Sequence, residues 1–519
     1  MKTIKIFQNT GKVRLFRMSL FTVVLSLSNL LLFSGCKAID DASNFVSPAS
    51  DYSPEFAAPI VNTQLSLKDI LKLTGNLSFV QVESDGQIKL VYEGKTQNIA
   101  ATSIVAFPPT IPFAAPSSNN SIPFSAIGGI NVRNVSIKSG TISYGFSASE
   151  TLIVTVIIPE LSKNDVSFKQ TNVVASGSFQ SAPLDLSGYT FSPNANKFSI
   201  NYEAKKSDGS LVNNLNLQGN FNDIKYTYID GYMTAQFYNF EKQRTYFNLF
   251  TELLADSLVF VDPKAIVTID NSFGLPIAAT VNSMNAFLIK STGFIDTLPL
   301  IYQKNNIDVS YPLISEIGKS KTSKYVFDKT NSNLSLLINK NPLLIEYDID
   351  AKSKDSGANV VFLNENSNLQ IKTNFELPMY LKAKNFYYEQ KIKPDLSILD
   401  GTVENAELKI ISNNNIPATV GMQVYFNDRN GNILDTLFAT GSKKFLEAAS
   451  VDANGNVTTS GKTEFLVPLD KAKVNRIKGA KEIVLGFLLS TTNNGKTAVR
   501  MNSNQNIDIR MGMKVKTKL

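Results

Sequence analysis

The sequence contains no histidine, no tryptophan and one cysteine, Cys36, among 519 residues. Without histidine, and with one thiol, Ser-His-Asp and Cys-His catalysis are excluded, as are His-ligated zinc and iron sites. No disulfide can form within the chain, so burial of apolar side chains must stabilise its domains, which their size permits. The lack of tryptophan argues against a carbohydrate-binding module, where stacking on an indole ring is usual.

Other patterns that carry chemistry are weak. The Gly-containing stretch from Ala126 has the wrong spacing for a phosphate loop. The stretches "DRNGN" at Asp428 and "DANGN" at Asp452 resemble the start of a calcium loop but lack its twelfth-position Glu, and hairpin turns explain both. Asp348 and Asp350 are a candidate acid pair for a glycoside hydrolase, although we interpret them as solvated strand charges. We therefore predict no catalytic residue, no metal site and no cofactor.

The first thirty-five residues have the pattern of an export signal. Five basic residues and no acidic one precede an uncharged run from Ser19 to Phe33. That run is about fifteen residues long, short of the roughly twenty that a membrane-spanning helix needs. Ser34 and Gly35 directly precede Cys36, which resembles the lipobox of bacterial lipoproteins, with Phe33 in place of the usual Leu. The resemblance implies that Cys36 is diacylated and is the first mature residue; an ordinary buried cysteine is the alternative.

The segment that follows is predicted to be a flexible tether. Residues 36–55 are rich in Ser, Asp, Ala and Pro and poor in large aliphatic side chains. Asp40 and Asp41 resemble the surface-export signal of lipoproteins from Bacteroidota. This resemblance implies the outer leaflet of the outer membrane, facing the cell exterior, and the periplasmic leaflet is the alternative.

The basic balance of the chain comes mostly from the export signal. Removing residues 1–35 takes away five positive charges and no negative one, so the net charge falls from +7 to +2. With no long Lys/Arg cluster either, nucleic-acid binding lacks its electrostatic footprint. We predict no nucleic-acid partner.

The pattern of the mature chain is β. Large apolar and polar residues alternate in residues 151–159, 197–205, 343–352 and 506–516, which places one face of each strand on a core. Gly and Asn turn signals lie between such runs. Helical patterns are short and begin at three places, Leu65, Phe240 and Leu469. We predict an all-β fold of tandem β-sandwich modules after a small N-terminal region of one helix and one hairpin.

An internal repeat suggests the domain boundaries. The segments from Ala265 and from Glu407 each contain a strand ending at Asn, then Pro and Ala-Thr-Val, and then Asp-Thr-Leu, with sixteen positions from Thr to Asp in both. A more diverged copy begins near Asn134. We predict an N-terminal region with a Pro-rich, extended segment that is a linker or lies at a sheet edge, and three sandwich modules, at residues 56–130, 131–255 (module 1), 256–395 (module 2) and 396–519 (module 3).

Three Asp-Ser/Thr-apolar triplets resemble the O-glycosylation sequon of Bacteroidota. Their hydroxyl residues are Ser257, Thr297 and Thr436. The last two occupy equivalent positions in the repeat, so a structural turn explains them equally well.

A dense aromatic run between Tyr226 and Phe250 supplies candidate docking residues. Alternating aromatic residues in strands are more often core, but aromatic residues are also enriched at the centres of interfaces. The candidates are Tyr226, Tyr228, Tyr232, Phe237 and Tyr238.

The lipid signal, the tether and the chained modules together resemble multi-domain β-sandwich lipoproteins of Bacteroidota. The resemblance implies a non-enzymatic scaffold anchored in the outer membrane by covalent lipid, such as palmitate, on Cys36. Its expected partners are the bilayer and an outer-membrane β-barrel protein or complex for protein assembly, secretion or uptake. An adhesin or glycan-binding protein is the first alternative and a carboxylate-type glycoside hydrolase the second. A barrel formed by the chain itself is less favoured because of the lipid signal and the modules.

Overall fold

A computed structural model of the chain describes residues 55–67, 79–247, 256–289, 293, 295–400, 402–439, 441 and 443–517. These residues fold into antiparallel β-sheets with a few short helices, which confirms the predicted all-β, sandwich-like class. No helix in these ranges is long and apolar enough to cross a membrane.

The N-terminal region contributes its strands to modules that follow much later in the chain. Its elements are β1 (Glu55–Ser66), β2 (Phe79–Val82), β3 (Ile88–Glu93), β4 (Gln97–Ala100) and α1 (Ala101–Ile104). β2 and β3 form the predicted hairpin. β1 pairs with the last strand of the chain, with Glu55 opposite Lys516 and Leu65 opposite Ile507. Most of the helix predicted from Leu65 lies outside the described residues.

Module 1 is built on two long strands, β7 and β14. Its strands are β5 (Thr110–Ala115), β6 (Asn119–Pro123), β7 (Ile130–Ala148), β8 (Leu152–Lys163), β9 (Val166–Val174), β10 (Gly177–Gln180), β11 (Leu184–Asp185), β12 (Thr190–Phe191), β13 (Lys197–Lys206) and β14 (Leu217–Met233). The sheet folds over on itself. This is shown by Phe198 of β13 and Phe221 of β14, which are on strands that do not pair but have ring centroids 5.3 Å apart. The Pro-rich segment, for which a linker or an edge-lying segment was expected, supplies β5 and β6 at sheet edges.

Module 2 is a sandwich of two sheets. Its elements are β15 (Phe237–Tyr238), β16 (Gln243–Tyr246), β17 (Ser257–Phe260), β18 (Lys264–Asn271), β19 (Ile277–Ile289), β20 (Ile295–Pro299), β21 (Asn306–Val309), β22 (Lys321–Phe327), α2 (Leu334–Ile338), β23 (Leu344–Ser353), β24 (Val361–Asn364), β25 (Asn368–Pro378) and β26 (Tyr380–Lys384), with a 3₁₀ turn at Ile314–Glu316. One sheet has the order β2-β3-β25-β18-β22, and the other has the order β15-β23-β19-β20.

The helix predicted from Phe240 is wrong over Gln243–Tyr246. These residues form β16, which extends the edge of β23, so pairing with a neighbouring strand overrides the local helical pattern. Residues 248–255 of the same prediction lie outside the described residues.

Module 3 repeats the arrangement of module 2. Its elements are β27 (Phe386–Ile392), β28 (Val403–Asn414), β29 (Ala418–Asn427), β30 (Ile433–Thr436), β31 (Lys444–Leu446), β32 (Ser450–Val451), β33 (Val457–Thr459), β34 (Gly461–Leu469), α3 (Lys471–Ile477), β35 (Glu482–Thr491), β36 (Val499–Arg500) and β37 (Asn506–Thr517), with a 3₁₀ turn at Ser397–Leu399. Its sheets have the orders β1-β37-β28-β34 and β27-β35-β29-β30, so β1 takes the place that β3 has in module 2.

The sequence repeat of modules 2 and 3 is therefore visible strand for strand, whereas the strand order of module 1 differs from both. α3 confirms the first part of the helix predicted over residues 469–484. Residues 482–484 instead begin β35, whose pairing with β27 and β29 overrides the local helical pattern. α3 begins after Asp470, whose carboxylate accepts a hydrogen bond from the backbone N–H of Lys473 at 2.7 Å.

A buried asparagine closes the same turn in both repeats and explains why the repeat contains it. Asn414, at the end of β28, accepts a hydrogen bond from the backbone N–H of Ile416 at 2.9 Å. Its amide donates to the carbonyl oxygens of Ala418 at 2.9 Å and Glu447 at 2.8 Å. Asn271, at the end of β18, is equally buried and makes two corresponding bonds. A buried amide needs such partners, so these residues fix the turn between the first two strands of each repeat.

The modules follow one another in space in the order 3, 2, 1. β26 pairs with β17 of module 2 and with β36 of module 3, and β24 pairs with β14 of module 1. Glu55 pairs near the end of β37, at the side of module 3 away from module 2. Glu55, the described residue nearest in sequence to the predicted lipid anchor, thus lies at the opposite end of the described residues from module 1. Buried apolar side chains from all three modules form one continuous core.

Candidate interaction surfaces

The predicted docking aromatics lie at the junction of modules 1 and 2, and part of this prediction is wrong. Tyr226 is only 4% exposed, and its hydroxyl donates to the carbonyl oxygen of Val105 at 3.0 Å, so it cannot dock a partner. Tyr228 is half-buried and stacks on Phe362 of β24, with ring centroids 6.2 Å apart. Burial raises the pKa of Tyr228 well above its ordinary value. Alternation in β14 turned these rings inward, as strand periodicity favours.

The remaining three aromatics are more accessible. Tyr232 is 36% exposed and Phe237 is 71% exposed, with the ammonium group of Lys352 4.3 Å from the centroid of the Phe237 ring. Tyr238 is half-buried on the same short strand. A docking role for these residues stays a prediction.

A buried carboxylate beside these aromatics ties β7 to β14 within module 1. Asp230 is 3% exposed and accepts hydrogen bonds from Arg133 at 3.1 Å, Asn134 at 3.1 Å and the hydroxyl of Tyr228 at 2.9 Å. A buried charge is tolerated when it is paired and hydrogen-bonded in this way. Tyr228 thus contacts Asp230 within module 1 and Phe362 of module 2.

The three sequon residues differ in accessibility. Ser257 and Thr297 are exposed, whereas Thr436 is half-buried and its hydroxyl donates to the carbonyl oxygen two residues further on. Asp296 and Asp435 each accept a hydrogen bond from the backbone N–H of the following Thr, at 3.0 and 2.8 Å. Both Asp-Thr pairs lie within strands, β20 and β30, so the structural turn suggested for them is not observed. Modification of the three hydroxyls stays a prediction.

The candidate acid pair lies on β23. Asp350 accepts hydrogen bonds from the backbone N–H of Phe240 at 2.8 Å and from the side-chain amide of Asn282 at 2.6 Å. Both of its oxygens are thus used to hold neighbouring strands. In the part of the chain that the structure describes, no group of three or more acidic or cysteine residues is placed to hold a metal ion.

The two calcium-like stretches are hairpin turns. Asp428 accepts hydrogen bonds from the backbone N–H groups of Asn430 and Asn432, both at 2.8 Å, and Asp452 does the same within its own turn. The side-chain hydrogen bond from Asn432 holds the pKa of Asp428 below its ordinary value, and Asn456 does so for Asp452. Each carboxylate therefore serves its own turn.

A groove of about 700 Å³ lies on the outer face of module 3, and we call it the Gly512 groove. It runs over β1, β37, β28 and β34, and Gly512 of β37 lies between Pro59 and Lys409 of the flanking strands. A Cβ atom at Gly512 would meet only the carbonyl oxygen of Ala58, at 3.7 Å. The depression therefore exists because this strand position has no side chain.

The rim of the Gly512 groove combines apolar and charged side chains. Ile411 is 39% exposed and Leu466 is 53% exposed. Lys409, Arg510 and Lys514 also line the groove. Protein interfaces combine apolar and charged side chains in this way.

The strand edge beside the groove is also open. Among the described residues β1 pairs with β37 alone, so its other edge offers backbone groups to a further strand. Such edges bind partners by strand addition.

A smaller cleft of about 230 Å³ lies on the other sheet of module 3, and we call it the tyrosine cleft. Its floor is Gly486 of β35, where an added Cβ would lie 3.1 Å from the ring of Tyr425 and 3.4 Å from the hydroxyl of Tyr387. The Tyr387 hydroxyl donates to Glu389, and burial raises its pKa. Lys443 completes the lining at one side.

Residues 310–320 form a loop between β21 and β22 that exposes large apolar side chains, and we call it the apolar loop. The exposed fractions are 38% for Tyr311, 61% for Leu313, 52% for Ile314 and 44% for Ile317. Glu316 fixes the loop, because its carboxylate accepts hydrogen bonds from the backbone N–H of Leu313 at 3.1 Å and from Lys321 at 2.6 Å. The bond from Lys321 lowers the pKa of Glu316, so these ties are complete above the ordinary carboxyl range and are lost as the pH falls through the lowered value.

Sequence reasoning missed the Gly512 groove and the apolar loop. The only signal for the groove is a glycine inside an alternating strand. The signal for the loop is a short apolar stretch without strand or helix period, "YPLISEIG", and exposure cannot be inferred from such a stretch alone.

No family model and no curated protein matches the chain. Among solved structures it is similar to a presumed secreted protein of Parabacteroides distasonis ATCC 8503, at 14% identity and a TM-score of 0.33, over 56% of this chain and 88% of that one. It is also similar to the VP2 protein of infectious bursal disease virus, at 9% identity and a TM-score of 0.15, over 75% of this chain and 71% of that one. Similarity at this level carries no argument about what the protein does.

Proposed function

We propose that the protein is a non-enzymatic scaffold, anchored by lipid in the outer membrane and facing the cell exterior, that docks on a membrane β-barrel protein or complex. In this role it is an accessory subunit for outer-membrane protein assembly, secretion or uptake. The observation that carries the proposal is the Gly512 groove, an open surface lined by apolar and charged side chains with a free strand edge beside it.

The position of the groove favours a partner in the membrane. β1 lines the groove and is the first described strand after the predicted lipid anchor at Cys36. Eighteen residues, 37–54, separate that cysteine from Glu55. At about 3.4 Å per residue they span at most about 60 Å, so module 3 stays within reach of the membrane surface. The occupant we propose is an extramembrane loop or strand of the barrel partner.

The continuity of the modules supports a scaffold. Shared strand pairing links module 3 to module 2 and module 2 to module 1. A surface that is already fixed loses little conformational entropy when a partner binds. This arrangement suits a protein that holds other components at set distances.

Purification of the tagged protein from its native membrane in mild detergent tests the proposal. We expect a membrane β-barrel protein to co-elute in stoichiometric amount. Recovery of the protein alone under conditions that preserve other outer-membrane complexes would contradict the docking proposal.

The tyrosine cleft supports a second candidate function, glycan binding. A glycine floor between two tyrosine rings leaves room for a flat sugar face, and Glu389 and Lys443 supply polar groups beside it. Tyr387→Ala and Tyr425→Ala are then each expected to weaken glycan binding about fivefold, since one aromatic contact contributes about 1 kcal/mol. Tyr246→Ala, on module 2 and 54% exposed, is the matched control. A glycan array on which no sugar binds the unaltered protein would remove this candidate.

A further inference from the structure

We propose that the apolar loop is a second membrane contact, whose side chains enter the headgroup region of an anionic lipid bilayer. The inference deepens the proposed function and rests on its lipid anchor, which brings the protein to the membrane. It does not depend on a barrel partner.

The side chains of the loop have the chemistry of an interfacial contact. Four large apolar residues, Tyr311, Leu313, Ile314 and Ile317, are each more than one-third exposed within seven positions. Contiguous exposed apolar side chains usually mark a binding surface, because solvation of such a patch is unfavourable. A tyrosine beside aliphatic side chains is the composition of segments that lie at the level of lipid headgroups.

The charge around the loop favours anionic lipid. Lys319 and Lys324 are exposed and, in the part of the chain described, make no ion pair. Of the carboxylates nearby, Glu316 is bound by Lys321 and Asp308 is bound by Lys354 at 3.2 Å, while Asp270 accepts a hydrogen bond from the hydroxyl of Thr322. Lysines that make no ion pair and lie beside an apolar tip attract anionic lipid headgroups. A neutral protein surface would not offer these lysines a charged partner.

The fold does not require an apolar loop at this position. In module 3 the corresponding connection, between β31 and β34, is the small hairpin of β32 and β33 with the polar turn "DANGN". The two modules otherwise have the same sheet order. The exposed apolar side chains of residues 310–320 are therefore an addition to the sandwich, and the bonds of Glu316 hold them in place before any partner binds.

The apolar loop lies far from the end of the molecule that carries the predicted lipid anchor, so a membrane contact there would orient modules 2 and 3. Val309, before the loop, pairs with Ile277, and Lys321, after it, pairs with Asn271. The loop therefore lies beside the turn between β18 and β19, at the end of module 2 that faces module 1. The lengths of β25 in module 2, with 11 residues, and of β37 in module 3, with 12 residues, separate the apolar loop from Glu55. At about 3.3 Å per residue this is roughly 75 Å. Two attachments so far apart would hold modules 2 and 3 along the membrane plane.

The absence of tryptophan makes the test direct, because one introduced tryptophan is the only indole in the protein. The purified lipidated protein carrying Ile314→Trp is reconstituted on vesicles of phosphatidylethanolamine and phosphatidylglycerol. We expect its emission to shift to shorter wavelength and to be quenched by lipids brominated on their acyl chains. Leu336→Trp is the matched control, since it is 58% exposed on α2 of the same module. Its emission is expected to stay at long wavelength.

The outcomes separate the loop from its alternatives. Unshifted emission at position 314, or an equal shift at positions 314 and 336, would overturn the proposal. Ile317→Trp provides a second reporter if Ile314→Trp does not fold. Lys319→Glu with Lys324→Glu is expected to reduce the quenched signal by weakening the contact about fivefold for each lysine. Because the vesicles contain no other protein, this result is independent of whether a barrel partner exists.

Discussion

Gly512→Phe is expected to remove the β-barrel partner from the purified complex. The new ring would fill the floor of the Gly512 groove, where a partner side chain is proposed to lie. Disrupting the centre of an interface costs about 2 kcal/mol or more, so the dissociation constant should rise at least about thirtyfold. The measurement is the amount of barrel protein that co-elutes, followed by the affinity of the isolated components.

The fold should tolerate this substitution. Nothing but the carbonyl oxygen of Ala58 lies within 4 Å of the added Cβ, and phenylalanine is favoured in strands. Val173→Phe is the matched control, because Val173 is 73% exposed on β9 of module 1 and lies outside the groove. Undiminished co-elution of the partner with folded Gly512→Phe protein would refute docking through this groove.

Asn414→Ala is expected to lower the free energy of unfolding of module 3 by about 3–5 kcal/mol. The substitution leaves the backbone N–H of Ile416 and the carbonyl oxygens of Ala418 and Glu447 without their buried partner. Each unsatisfied buried group costs about 1–3 kcal/mol. Urea unfolding followed by hydrogen exchange of β28 and β37 measures the loss in this module.

Two further variants serve as comparisons for Asn414→Ala. Asn271→Ala should destabilise module 2 by a smaller amount, since its amide makes one donor bond, at 3.2 Å to Ser310. Asn415→Ala should change stability by less than about 0.5 kcal/mol, because that side chain is only half-buried and accepts one long bond, at 3.5 Å from Ser460. Equal stability of Asn414→Ala and Asn415→Ala would show that the shared turn does not depend on the buried amide.

Sequence patterns predicted the strands and helices whose formation depends on residues close together in the chain. Alternation identified strands such as β23 and β37 because each has one buried and one more exposed face. The helix α3 was predictable from its apolar spacing and has a capping Asp470. The repeated Asn marked a real structural role, the closure of a buried turn.

Pairing between distant parts of the chain was not predictable. Glu55 and Lys516 are neighbours in one sheet although 461 positions separate them, and nothing in either segment specifies the other. Pro59 and the adjacent bulge also weaken the alternation of β1. The N-terminal region was therefore described by its hairpin, and its role as a strand of module 3 emerged only from the structure.

The candidate surfaces show the same division. The aromatic run was visible in the sequence, but the side of β14 on which Tyr226 lies depends on register with β7. The Gly512 groove depends on a missing side chain between two strands that are remote in sequence, β1 and β28. Composition can suggest an interface, whereas its position requires the arrangement of the sheets.

Photo-cross-linking from the Gly512 groove in living cells tests the scaffold account most directly. A photoreactive residue replaces Leu466, which is 53% exposed on the groove rim, and a second strain carries it at Leu336 of module 2. If a barrel partner docks in the Gly512 groove, position 466 should cross-link to an outer-membrane β-barrel protein and position 336 should not cross-link to that protein. Cross-links to a barrel from position 336 alone, or no barrel adduct from position 466 in protein that reaches the outer membrane, would contradict the scaffold account.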